Sequence, residues 1–326
     1  MLRKLLLIID SLRIDCISEE ITPNLIELSK EGTLKTIYAV NNNTEPCLVA
    51  IFTGVHPLDS GLVGLGQRDA YRILSRILTP KDWVVYSSAI LFEPFFKFKR
   101  CRYLKQINLD KLKRFKGLVI VHTMECHDYY CDDERWLDFY RGYEPIPEER
   151  TLVDLSKAFG WGKPWESIVK TNDAGELKAR YLGALNKIDE WVDRIREIFD
   201  VIIVTADHGE LWGENGVVFR HQTLHDLIVK VPLISNIEID ADDQTEILYP
   251  KKPKEYIVST ENTWQSGIRV DVDGKSLTHY WNKIYNLPNW VGDMDLKPFV
   301  LQEKKRFPKR LPTLIEGQDL RFFLSN

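Results

Sequence analysis

Long hydrophobic runs are missing from this 326-residue chain. A helix that crosses a bilayer needs about 20 consecutive apolar residues, and no segment supplies them. The start, Met1-Leu-Arg-Lys, is basic and leads into the apolar Leu5–Ile9, but that run is five residues long and stops on Asp10. It reads as a first strand, not as a signal peptide. Paired cysteine spacing is also missing. Cys16, Cys47, Cys101, Cys126 and Cys131 do not form the framework of a disulfide-stapled secreted domain, so a cytoplasmic setting is expected. With a net charge of −4 there is no basic excess, and nothing in the bulk balance asks for nucleic acid as a partner. No internal repeat or low-complexity tract is present, which excludes a repeat architecture.

What is present fits a single-core enzyme-sized chain. The hydrophobic content of 44% over 326 residues can bury a large core. Apolar strand candidates at 5–9, 83–87, 118–122 and 201–205 alternate with helical stretches. The clearest helix is 175–199, where Leu177, Tyr181, Leu185, Ile188, Val192, Ile195 and Phe199 recur at three- and four-residue spacing. This alternation predicts an α/β fold with a doubly wound, mostly parallel sheet flanked by helices. We expect an α/β catalytic domain over 1–235, with an insertion at 129–172 that is rich in Trp, Tyr, Pro and charge. Residues 236–326 are expected to form a small C-terminal subdomain or a wrap-around extension, with antiparallel strands at 255–259 and 266–274. Trp281, Trp290 and the segment 306–312 would fold back over the main domain.

The chemistry-bearing residues sit at strand ends. The run Asp200–Thr205 delivers Asp207 and His208 onto a loop punctuated by Gly209. Neighbouring side chains in a strand point to opposite faces, so the two can share a metal only if the backbone turns between them, and Gly209 would permit that turn. Leu5–Ile9 likewise ends on Asp10, at the carboxyl edge where open α/β sheets bind ligands. The alternatives are turn chemistry for Asp207-His208 and a helix cap for Asp10; Asp15 is assigned to capping or to a contact with Arg13.

Thr22-Pro-Asn-Leu…Gly32, Thr44-x-Pro46-Cys47-x-x-Ala50-x-x-Thr53-Gly54-x-x-Pro57, His122-x-x-x-x-His127-x-x-Tyr130, Asp207-His-Gly-Glu210 and His221-x-x-Leu224-x-Asp226…Val231-Pro-Leu-Ile234 follow one another in an order that resembles the alkaline phosphatase superfamily, in its sulfatase-like branch. The resemblance runs from about residue 6 to 234. It implies Asp10, Asp207, His208 and Thr44 as metal ligands and Thr44 as nucleophile, held at a helix N-terminus that favours anions. A threonine hydroxyl is a poor nucleophile at neutral pH, and metal coordination activates it. His127 and His221 match positions that bind substrate oxygens, protonate the leaving group or complete a second metal site. The resemblance leaves the ion open: Zn or Mn if there are two, with Ca or Mg tolerated at a single carboxylate-dominated site. His122 reads as a satisfied strand-end residue, His225 as an aromatic-position substitute, and His56 and His279 as surface residues.

Departures from the pattern narrow the chemistry. Sulfatases carry Cys or Ser at the position of Thr44 and arginine at that of Leu48, and threonine cannot become formylglycine. Ser11 replaces a second acid, and 83–90 lacks the sulfate-binding lysine and histidine. The expectation is therefore a metal-dependent hydrolase acting on a small anionic ester, a phosphate mono- or diester, through a covalent threonine intermediate. The rivals are a phosphoryl-group transferase, a sulfate-ester hydrolase and a non-catalytic binding protein on a degenerate scaffold. The basic runs 96–105 and 111–116 read as solvated faces, with attraction of an anionic substrate or membrane surface as the alternative. Trp136, Tyr140, Tyr143, Trp161 and Trp165 read as loop packing, or as a platform for a sugar or base. Oligomeric state is not legible.

Overall fold

The strand Leu5–Ile9 is apolar on both faces because it lies at the middle of a sheet covered on both sides. The computed structural model describes residues 2–64, 70–79, 81–141, 143, 174–212, 214, 218–221, 223–250, 254–262, 266–281 and 288–308. Its main sheet uses β1 (Arg3–Ile9), β2 (Thr33–Tyr38), β3 (Val84–Ser87), β4 (Lys97–Arg100), β5 (Gly117–Thr123), β6 (Val201–Ala206) and β9 (Lys230–Ser235), with β7 (Leu211–Trp212) and β8 (Val218–Arg220) pairing separately. The order across the sheet is β2-β9-β6-β1-β5-β3-β4. β1 is parallel to both β5 and β6, and only β9 runs against its neighbours. From β1 the chain goes first to one edge and later to the other, which makes the carboxyl end of β1 a topological switch point.

Three of these strands carry no clean apolar signature, and each has a physical reason. β2 pairs on one side only and alternates buried and exposed residues. β4 is the other edge, and its Lys97, Lys99 and Arg100 are exposed, the charge pattern that discourages edge-to-edge pairing. β9 contains Pro232, which pairs with Thr36 of β2 while the ladder to β6 stops at Leu233. The missing N–H therefore falls outside that ladder.

The helix Ala174–Ile195 carries the expected stripe, with Leu177, Tyr181, Leu185, Ile188, Val192 and Ile195 buried. Within the segment expected as an insertion, Glu134–Tyr140 forms a short helix capped by Asp133. Trp136, Tyr140 and Tyr143 pack among themselves and with Phe139, and the Tyr140 hydroxyl accepts from Asn186 Nδ2 at 3.2 Å. Trp161 and Trp165 lie outside the described residues. All five cysteines are free and buried, and among the described residues no helix is long and apolar enough to cross a membrane.

A second, antiparallel sheet joins β10 (Ile257–Glu261), β11 (Ser266–Val272), β12 (Lys275–Trp281) and β13 (Trp290–Gly292) in sequence order. Asp273 and Gly274, at φ 47° and 79°, make the two-residue left-handed turn of a tight hairpin. Its core of Val258, Ile268, Val270 and Leu277 is shared with Leu58 and Val63 from the segment after the helix Thr44–Thr53. Two histidines expected at the surface are structural instead. His56 caps the helix Pro57–Ser60 and its Nε2 meets the Val258 carbonyl at 3.0 Å, while His279 is stacked on Trp290 and Trp281.

Tyr181 ties the long helix to the switch point. Its hydroxyl donates to the Ser11 carbonyl and accepts from the Arg13 N–H, each at 2.9 Å, in a fully buried setting. Tyr181→Phe leaves both backbone groups without that partner and is expected to cost about 1–3 kcal/mol in urea unfolding. An unchanged unfolding midpoint would show that the bridge contributes nothing.

Candidate active site

Register places the two acids. Ile9 of β1 pairs with Ala206 of β6, so the next residues, Asp10 and Asp207, emerge side by side at the carboxyl edge. Both carboxylates and the His208 imidazole are fully buried, and each offers one ligand atom within 4.8 Å of the others. Asp207 and His208 share one face because the strand ends at Ala206 and the Asp207 carboxylate accepts the His208 N–H at 2.8 Å. Ser11, in the left-handed region at φ 62°, turns its own N–H onto the same oxygen at 3.2 Å and its hydroxyl onto Asp10 Oδ1 at 3.1 Å. It thus replaces a second acid with a hydrogen-bond donor.

Gly209 works differently from the expected turn maker. Its backbone is not left-handed, but a Cβ there would stand 1.9 Å from the Leu227 carbonyl oxygen. The glycine is required by close approach to the helix Asp226–Val229, which His225 caps through its ring nitrogen.

Thr44 is the first residue of a ten-residue helix, Thr44–Thr53. Its hydroxyl donates to Asp10 Oδ2 at 3.1 Å and lies 3.4 Å from His208 Nε2. Leu48 and Cys47 point into the core, and the Cys47 thiol is engaged by the Asn41 carbonyl at 3.1 Å. Asn41, Asn42 and Asn43 brace the approach to Thr44. Asn43 Nδ2 donates to the side-chain oxygens of Asn41 and Asn42, and Asn41 Nδ2 reaches Thr260 of the antiparallel sheet at 2.8 Å.

The histidines fall into two groups. His221 and Asn42 are locked reciprocally: Asn42 Nδ2 donates to the His221 carbonyl at 2.8 Å, and His221 Nδ1 donates to that of Asn42. Its ring stacks on His208 at 4.1 Å and lies 6.1 Å from His127. His127 Nδ1 meets Asp128 Oδ1 at 3.3 Å. Burial would raise the Asp128 carboxyl, but its hydrogen bonds to His127 and Arg102 hold it down at about 2. His122 belongs to the site more closely than a satisfied strand-end residue would. Its Nε2 meets Asp10 Oδ2 at 3.2 Å, and its Nδ1 meets Ser87 Oγ at 3.0 Å.

The structural roles of Gln244 and Arg102 were not legible from motifs. Gln244 is fully buried, accepts the Val40 N–H at 3.1 Å and donates to the carbonyls of Ala206 and Asp207 at 2.8 and 2.6 Å. It staples the nucleophile loop to the ligand loop. Arg13 makes the expected contact with Asp15, adds Glu214, and lies over the Trp212 ring at 3.9 Å. The basic run 96–105 is not uniformly solvated, because Arg102 turns inward to Asp128.

The electrostatics of Asp10, Asp207 and His208 fit a divalent cation. Burial would raise Asp10, but His127, His122 and His208 hold it well below the usual carboxylate range. Burial, then the Asp10 charge, pushes Asp207 up. Burial would lower His208, but Asp207 and Asp10 push it up. Asp207 Oδ2 is buried without a hydrogen-bond partner. His208 Nδ1 donates to the Gly209 carbonyl at 2.9 Å, which leaves Nε2, once deprotonated, as a ligand aimed between the carboxylates. Burial, His208 and His127 together push His221 well below its ordinary value, so it is neutral with Nε2 available as an acceptor.

No family model matches the chain, and no curated protein matches it. Solved structures do. A protein solved in complex with its substrate D-glucosamine-2-N,6-O-disulfate aligns over 96% of this chain and 99% of its own, at 13% identity and a TM-score of 0.64. The phosphonate monoester hydrolase of Agrobacterium radiobacter aligns over 92% and 91%, at 13% identity and a TM-score of 0.63. A 2-O GAG sulfatase aligns over 99% and 89%, at 13% identity and a TM-score of 0.55. The chain therefore has the fold of the sulfatase-like branch of the alkaline phosphatase superfamily, as its motifs suggest.

Gly209→Ala tests the close approach at the ligand loop. The added methyl meets backbone, not a movable side chain, so a loss of about 1–3 kcal/mol in unfolding free energy is expected. A variant as stable as the parent would show that this loop relaxes freely.

Proposed function

We propose that this chain is a metal-dependent ester hydrolase that cleaves phosphate mono- or diesters with Thr44 as nucleophile. The observation that carries the reading is the Thr44 hydroxyl, at a helix N-terminus and within 3.1 Å of Asp10 Oδ2 and 3.4 Å of His208 Nε2. Asp10, Asp207 and His208 would hold the ion, with the Thr44 oxygen beside them. A bound divalent cation supplies Lewis-acid stabilisation of negative charge and lowers the pKa of the hydroxyl. The fold's neighbours act on sulfated sugars and phosphonate esters, so an anionic ester fits the scaffold.

Thr44 Oγ attacks phosphorus, a bond from phosphorus to Oγ forms, and the bond to the leaving oxygen breaks. Asp10 Oδ2, which accepts the hydrogen bond of the Thr44 hydroxyl, takes that proton as Oγ bonds to phosphorus, and the helix N-terminus turns the positive end of its dipole to the transferred group. Water then attacks phosphorus, the phosphorus–Oγ bond breaks and phosphate departs, while the proton held by Asp10 returns to Oγ and the proton lost by water returns to the general acid of the first step. His127 is the candidate for protonating the leaving oxygen. His221 is suited to accept through Nε2 or to bind a second ion, because Nδ1 is committed to Asn42. Phosphate is favoured over sulfate because a phosphate monoester dianion needs more neutralisation than a sulfate monoanion. The site gathers several histidines, while the sulfatase lysine position in 83–90 is empty of cations.

Thr44→Ala is expected to lower turnover of aryl phosphates on the order of 10³-fold or more. Thr44→Ser should keep measurable activity. Matched aryl phosphate, phosphodiester and sulfate substrates, assayed with Mn, Zn, Mg and Ca, should show preference for phosphorus. Sulfate turnover with no phosphoesterase activity under any metal would overturn the reading.

A further inference from the structure

We propose that Asp128, clamped by Arg102 and Tyr103, is a positioning residue that fixes His127 with Nε2 turned to the leaving group of the ester. Asp128 is buried at 1% exposure, directly behind the half-buried His127. Arg102 donates to both its oxygens, from Nε at 2.5 Å and Nη2 at 2.7 Å, and the Tyr103 hydroxyl donates to Oδ2 at 2.9 Å. The backbone is held too, with the Asp128 N–H on the Met124 carbonyl at 2.8 Å. The remaining approach to Oδ1 is taken by His127 Nδ1 at 3.3 Å.

An ionised carboxylate only accepts hydrogen bonds, so Nδ1 must carry the hydrogen. Nε2 is then the nitrogen presented to the site, the same division of labour by which a buried acid orients a catalytic histidine elsewhere. In the reaction proposed above, the Nε2 proton passes to the leaving oxygen as its bond to phosphorus breaks. The products are a neutral alcohol and a neutral imidazole, still bonded through Nδ1–H to Asp128. One part of the basic run 96–105 is thereby assigned: Arg102 organises the proton donor from behind and does not attract substrate.

This inference rests on the proposed phosphoester chemistry, and two readouts separate their failures. Asp128→Asn keeps the shape but lets Asn present a donor to Nδ1. With the full chain, kcat for ethyl phosphate should fall about 10–100-fold, while kcat for p-nitrophenyl phosphate changes by no more than about 3-fold because that oxygen leaves without a proton. KM should stay put for both. Equal losses on the two esters would overturn the proposal. Independently of turnover, two-bond ¹H–¹⁵N correlations of the metal-free protein should show His127 Nδ1 protonated in the parent and altered in Asp128→Asn. A bare Nδ1 in the parent, or an unchanged pattern in the variant, would also overturn it. If the variant does not fold, the parent spectrum alone decides. Should wild-type and Thr44→Ala proteins be equally inactive on both esters, the phosphoester reading fails, and the spectra still test the role of Asp128.

Discussion

Two carboxylates are buried side by side where β1 and β6 end, and the rest of the site answers to their mutual repulsion. Charges of like sign in a low-dielectric setting cannot both persist without a cation. Here three histidines hold Asp10 well below the usual carboxylate range, burial and the Asp10 charge push Asp207 up, and the two acids push His208 up. A divalent ion would offset both charges and leave both acids ionised. The fold thus stores an unfavourable arrangement at the one edge of the sheet where a ligand can relieve it.

Holding that arrangement takes hydrogen bonds that cross large sequence distances. Ser11 accepts a left-handed backbone so that its N–H can reach Asp207, and Tyr181 closes the loop behind it. His122 relays Ser87 to Asp10, and Asp10 in turn takes the Thr44 hydroxyl. From the other side, Gln244 binds the backbone on either side of the gap, and the three asparagines connect Thr44 to the antiparallel sheet through Thr260. Together these contacts supply the supporting shell that a pre-organised site requires. The second sheet therefore does more than extend the chain, because its Arg269 and Tyr280 grip the carbonyl and N–H of Leu224, three residues after His221.

The parts of this architecture visible in the sequence are those with a local signal. β1, β5 and β6 are mostly buried apolar runs, β3 is a short run with one half-exposed face, and the long helix repeats its stripe for five turns, so apolar patterning alone locates them within a few residues. Asp10, Thr44 and Asp207-His208 were visible because motif order marks them. The edge strands β2 and β4 were not, since half-exposed or charged residues erase the pattern, nor was β9 with its internal proline. Gln244, Ser87 and Arg102 escaped for another reason: each is one polar residue whose partner is 20 or more positions away, and no spacing rule connects them. Gly209 was noticed for the wrong property. Its lack of a side chain matters for packing against Leu227, which only the three-dimensional neighbour reveals.

The account turns on the claim that Asp10 and Asp207 repel each other until a cation arrives. Thermal unfolding of Asp207→Asn, with and without Mn or Zn, tests it most directly, because removing one charge should act in opposite senses on the two states. The metal-free variant should unfold at a higher temperature than the metal-free parent, and added metal should raise the melting temperature of the parent but not of the variant. A variant that is less stable without metal, yet still stabilised by metal as the parent is, would contradict the account.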